Sequence, residues 1–143
     1  MAGEMISRNR SIADCTINWV YTDDLVGTKA FYAEKIGLKV AYQQEGTFIF
    51  HLGRDCFLGI CKVRPGRYVE PRGTMNTIVT NEVDDWYEKL IDAGVEIESP
   101  PQHNETFGIY HFFAKDPNGY VIEFQRFTDP RWAEMRKQMS NEE

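Results

Sequence analysis

Cysteine is scarce in this chain: Cys15, Cys56 and Cys61 are the only three, and none is paired as C-x-x-C. An odd, unpaired set excludes a disulfide-stapled scaffold. No apolar run follows the arginines of the opening MAGEMISRNRS, so no export signal is expected and the thiols read as those of a reduced, cytoplasmic protein. Long apolar stretches are also missing. No segment approaches the roughly 20 apolar residues of a membrane span, so no membrane partner is expected. Positive charge is in short supply, with 16 Lys and Arg against 22 Asp and Glu and a net charge of −6. The single basic cluster, Lys62 to Arg67, reads as a solvated loop, and a nucleic-acid partner is not expected. Gly-x-Gly-x-x-Gly is absent and only two long helices are apparent, which argues against a parallel nucleotide-binding sheet.

What is present is an ample core, with nine Phe, seven Tyr and three Trp in 143 residues. Two halves repeat one order of elements. The first opens with a β-branched and aromatic run, Thr16 to Tyr21. Asp23 and Asp24 offer an N-cap to a helix that places Leu25, Thr28, Tyr32 and Ile36 on one face and stops at Gly37. Short strands are predicted over Leu38–Gln43, Thr47–Leu52 and Cys56–Lys62. The second half begins with a strand at Thr74–Val79 and a helix over Val83–Ala93, with Val83, Trp86, Leu90 and Ile91 inward. A strand near Val95–Ile97, a Pro100-Pro101 loop and a hairpin follow. The hairpin pairs Ile109–Ala114 with Tyr120–Phe127 around Asp116-Pro117-Asn118-Gly119, a tight-turn signal. These patterns predict an α+β domain over residues 15–128, built of two tandem βαβββ modules (about 15–63 and 74–128) whose curved mixed sheets enclose a cleft. A flexible N-terminus (1–14) and a C-terminal helix, Arg131 to Met139, with its tail (129–143) flank it.

Two motifs carry a family resemblance. Asp24-Leu25, Phe31-Tyr32 and Ile36-Gly37-Leu38 are similar to D-L-x-x-(S/T)-x-x-F-Y-x-x-x-L-G-L. Phe113 through Phe124, with Asp116-Pro117, Gly119 and Ile122-Glu123, is similar to F-x-x-D-P-x-G-x-x-I-E-L. With Val83-Asp84-Asp85-Trp86 and Ala93-Gly94 between them, the chain resembles the vicinal-oxygen-chelate superfamily of glyoxalases, bleomycin-resistance proteins and extradiol dioxygenases. The resemblance implies a four-ligand metal site on the concave sheet faces. Its four positions fall here on Ile17, Gly59 (the closest match), Met75 and Glu123. Ile and Gly cannot ligate, and a thioether does not suit hard divalent ions. No metal and no cofactor are therefore expected, and a divalent ion on Glu123 is the open alternative.

Strand alternation then suggests what lines the cleft. Trp19 and Tyr21 share a face with Ile17; Phe48 and Phe50 are placed on the same side, as are Phe57, Met75 and Gln125. A short hairpin turn sets His111 nearly opposite Glu123, with Phe113 beside them, whereas His51 faces away and His103 lies in an exposed loop. Each aromatic has a plain alternative as core, and Glu123 or His111 as a satisfied buried pair. Two functions remain open: metal-independent binding of a small apolar or aromatic molecule, as in drug sequestration, or a lyase, isomerase or dioxygenase-like enzyme in which Glu123 and His111 serve as acid and base or join an unusual metal site. By analogy with single-domain members of the family, a homodimer is expected.

Overall fold

The computed structural model describes residues 12–142, and the expectation of a flexible segment over 1–11 lies outside the described residues. The first module runs β1 (Thr16–Thr22), α1 (Leu25–Ala30), β2 (Val40–Gln44), β3 (Thr47–His51) and β4 (Cys56–Lys62). The second runs β5 (Met75–Val79), α2 (Val83–Asp92), β6 (Glu96–Ile97), β7 (Gln102–Asn104), β8 (Ile109–Lys115) and β9 (Val121–Phe127). A terminal helix α3 (Pro130–Glu142) extends three residues past the expected Met139. The expected α+β class and the tandem repeat are both present, and the two sheets have matching designs. β1 lies parallel to β4 in the order β1-β4-β3-β2, and β5 lies parallel to β9 in the order β5-β9-β8-β6, with β7 also on β8.

Local chemistry explains the helices. The Asp24 carboxylate accepts from the Gly27 N–H at 3.0 Å and caps α1. From Phe31 to Ile36 the backbone widens into a π-helical segment, which buries Phe31 together with Tyr32 and Ile36. Gly37 ends it at φ +88°, a conformation costly for a residue with a Cβ. On α2 the inward set holds for Val83, Leu90 and the half-buried Trp86, which stacks on Phe124 with ring centroids 5.1 Å apart. Ile91 departs from expectation. It is 45% exposed, because the helix presents a narrow apolar stripe and Ile91 lies one step past it.

One core joins the modules, from Val20, Tyr32 and Phe50 through Leu90 to Phe112 and Phe124. Its polar clasp is the Asp116–Gly119 turn. Tyr32 Oη donates to Asp116 Oδ2 at 2.8 Å, and Thr22 Oγ1 donates to Asn118 Oδ1 at 2.7 Å. Asn118 Nδ2 in turn donates to Thr28 Oγ1 at 3.1 Å. Tyr120 Oη donates to the Tyr21 carbonyl at 3.1 Å and accepts from the Glu70 N–H at 3.1 Å. Burial and the neighbouring Asp116 carboxylate push the Tyr32 hydroxyl well above the usual phenol range.

Candidate functional site

β9 crosses the middle of the second sheet and sends Glu123 and Gln125 to the face away from α2. Register sets their neighbours: Thr77 and Phe113 flank Glu123, while Val79 and His111 flank Gln125. His111 is thus diagonal to Glu123, not opposite, with Phe113 in the directly opposed place. The diagonal still closes. His111 Nδ1 lies 2.7 Å from Glu123 Oε2, with both side chains buried. Thr77 Oγ1 donates to Glu123 Oε1 at 2.8 Å. The Gln125 amide, with its NH2 toward the carboxylate, donates to both oxygens at 3.2 Å. Three donors therefore surround one buried carboxylate, which offsets the cost of removing it from water. With Nδ1 donating to Glu123, His111 Nε2 has no partner among the described residues. Since no buried side-chain nitrogen lacks a partner there, Nε2 is open to the space in front.

That space is a cavity of about 610 Å³. Met75, Ile109, Phe113 and Phe127 form its apolar walls, and His111, Glu123 and Gln125 its polar floor. Gln102 and Asn104 on β7 and the 71% exposed Phe107 complete the rim. None of these rim residues was expected from sequence. Gln102-His103-Asn104 follows two prolines without any apolar alternation, and forms a strand because the β8 edge pairs with it. The placement of His103 as exposed is correct, although it sits on this strand and not in a loop.

Trp19 and Tyr21 line a second cavity of about 550 Å³, in the seam between β1 and β5, with Tyr68, Glu70 and Tyr120. Met75 borders both spaces. The single aromatic cleft expected from sequence is thus two cavities. Phe48 and Phe50 belong to neither: Phe50 is fully buried 6.2 Å from the Tyr32 ring, and Phe48 packs against the core beneath Lys29. The parity assigned to β3 is therefore off by one. Ile49 pairs with Gly59 and His51 with Phe57, so Ile49 and His51 occupy the open face and the phenylalanines face the helices. His51 accordingly does not face away; its ring lies 5.4 Å from that of Phe57, which is on the open face as expected but outside the lining of both cavities. β3 alternates aromatic with aliphatic or His residues, and both of its sides look apolar enough to be buried.

The family's four metal positions do not fit a divalent ion here. Ile17 and Gly59 offer no donor, Met75 offers a soft sulfur, and both Glu123 oxygens already accept hydrogen bonds. A Cβ at Gly59 would collide with the ring of Trp19. Among the described residues, no group of three or more His, Cys, Asp or Glu side chains is placed to hold a metal.

The model of the Glyoxalase/Bleomycin resistance protein/Dioxygenase superfamily matches residues 12–124. The chain belongs to this superfamily. Among solved structures it is similar to a glyoxalase/bleomycin resistance protein/dioxygenase from Nocardioides, at 23% identity over 90% of this chain and 91% of that one, with a TM-score of 0.70. It is also similar to a lactoylglutathione lyase from Agrobacterium tumefaciens, at 19% identity over 82% and 95% of the two chains, with a TM-score of 0.66. A glyoxalase-related enzyme from Fulvimarina pelagi shares 19% identity over 78% and 86%, with a TM-score of 0.64. At these identities the likeness concerns the fold. No curated protein matches the chain.

Proposed function

We propose that this chain binds a small apolar or aromatic molecule without a resident metal, in the cavity above Glu123 and His111, as a drug-sequestering member of the superfamily would. The observation that carries this reading is the contrast between apolar walls and one internally satisfied polar cluster, which suits capture with orientation. Thermal unfolding of the purified protein against divalent metals and a library of aromatic natural products tests it. Aromatic compounds should raise the midpoint in proportion to log concentration while metals leave it unchanged. Elemental analysis showing about one tightly held ion per chain, lost in Glu123→Ala, would overturn the metal-free part.

A second reading rests on the 2.7 Å Glu123–His111 contact with Nε2 turned to the cavity. A carboxylate that orients an imidazole is the arrangement of a general base, and would serve proton transfer in an isomerase or lyase step. Glu123→Gln separates the two: a binder keeps most of its affinity, whereas an acid–base enzyme loses turnover.

The open faces favour a homodimer. Ile17, Tyr42, Met75 and Val79 are each more than a third exposed, an apolar surface that a second copy would cover. Sedimentation should give twice 16.6 kDa at micromolar concentration, and a stable monomer would refute the expectation. Three free thiols, two of them exposed, suit the reducing cytoplasm.

A further inference from the structure

The cavity in front of His111 has a polarity that narrows its ligand, on the premise that it is a binding site. Its charged lining is confined to the Glu123–His111 pair, and no Lys or Arg is among the lining residues. Whether His111 is neutral or protonated, an ionised Glu123 brings the pair to −1 or zero, never to a positive charge. Arg131, in the adjoining groove that shares Phe107 and Phe127, is held by Asp129 at 2.6 Å. An anionic ligand would thus enter a partly desolvated space with no counter-charge, in a chain of net charge −6.

The hydrogen-bonding groups of the buried floor lean toward acceptors. Gln125 turns its NH2 to Glu123, which leaves its carbonyl for the cavity. Neutral His111, with Nδ1 donating to Glu123, offers the Nε2 lone pair. On β7, Gln102 stands directly opposite His111 and Asn104 opposite Ile109, so both carboxamides project on the cavity side. Gln102 Nε2 donates one N–H to Ser99 Oγ at 3.4 Å, and its carbonyl has no partner among the described residues. Asn104 alone is reversed: its carbonyl accepts from the Phe107 N–H at 3.1 Å, and its NH2 is left as a donor. With His111 neutral, the buried floor of the cavity therefore offers two acceptors, His111 Nε2 and the Gln125 carbonyl, and the Gln102 carbonyl adds a third at the rim.

We propose that the cavity selects uncharged aromatic molecules that present a hydrogen-bond donor, a hydroxyl or ring N–H, and that Gln102 on β7 is a specificity-determining residue reading that donor together with His111. Apolar stacking against Phe113 and Phe127 is common to any flat ligand. Discrimination comes from the acceptors, because a ligand without a donor leaves them unpaired once water is displaced.

Calorimetric titration of the full chain with 2-naphthol, 2-methoxynaphthalene and 2-naphthoate tests this, with the ring signals of the three histidines followed by 1H–13C NMR. 2-Naphthol should shift the His111 signal and leave His51 unmoved. It should bind about fivefold or more tighter than the methyl ether, the net value of one hydrogen bond, and about tenfold or more tighter than the carboxylate. Gln102→Met, a change on an exposed edge strand, should reduce the preference of naphthol over its ether without changing the thermal midpoint. Equal affinity for naphthol and its ether, or tighter binding of naphthoate, each with His111 shifted, would overturn this inference and leave the cavity as a binding site. An unchanged preference in Gln102→Met would remove Gln102 from the reading. If no probe moved the His111 signal, both the inference and the binding site beneath it would fall.

Discussion

Trp19 on β1 occupies the space that a side chain at Gly59 on β4 would need. The two are register partners in the parallel ladder, and an added Cβ would meet three atoms of the indole. Gly59 thus lets the ring lie over the sheet, and a donor side chain at this position cannot coexist with Trp19 as placed. Trp19 is 41% exposed and can swing outward, so Gly59→Ala should be tolerated at about 1–3 kcal/mol, with Trp19 emission shifted to the red. Combining it with Trp19→Ala should restore most of that stability. A double variant as unstable as the sum of the single changes would show that the two residues do not conflict.

Trp19 and Trp86 separate a cavity wall from a core side chain. Trp86 is half-buried, stacked on Phe124 and covered by the Lys89 ammonium 4.5 Å from its ring centroid. Trp86→Ala should cost about 3 kcal/mol in urea unfolding, as loss of a packed aromatic does. Trp19→Ala should cost under about 1 kcal/mol, because much of its ring already meets solvent. Comparable losses from the two variants would contradict the placement of Trp19 on an open face.

The fold was legible in the sequence because its signals are local and repeated: N-cap, helical face, stopping Gly, alternating strands, twice over. The two family motifs also explain each other, since the Tyr of Phe31-Tyr32 donates to the Asp of Asp116-Pro117. Strand parity was legible for β1, β4, β5 and β9, where one side is clearly more apolar or carries Glu123. It failed at β3, where Phe48 and Phe50 alternate with Ile49 and His51, and only pairing with β4 decides which set faces the helices. β7 was illegible for a different reason. Gln102-His103-Asn104 has no strand pattern of its own and exists through its hydrogen bonds to β8, so the carboxamides at the rim of the cavity could not be placed.

Glu123 is held by Thr77, His111 and Gln125, so its removal should be felt through all three. Glu123→Ala should cost about 2–4 kcal/mol, because the buried His111 and Gln125 and the more exposed Thr77 lose their acceptor together. Glu123→Gln keeps an acceptor oxygen and the side-chain volume, and should cost about 1 kcal/mol. Urea midpoints of the two variants check this. A Glu123→Ala protein as stable as wild type would mean that the carboxylate is not the hub of the cluster.

Tyr32 should make the fold sensitive to alkali. Its hydroxyl is buried against Asp116, and burial first, then that carboxylate, raise its pKa well above the ordinary phenol value near 10. The sign follows directly. In the unfolded chain Tyr32 loses its proton near pH 10, while in the folded chain it retains it. The stabilisation is therefore fully present below about pH 10 and declines as pH rises from there toward the folded-state value. Tyr32→Phe should cost about 1.5–3 kcal/mol at neutral pH by removing a hydrogen bond to a charged group. It should also flatten the loss of stability above about pH 10 relative to wild type, since Phe has no proton to lose. Urea unfolding of both proteins from pH 7 to 11 measures the two effects at once. An alkaline slope unchanged in Tyr32→Phe would assign that slope to the other tyrosines and leave the Tyr32–Asp116 bond without a part in it.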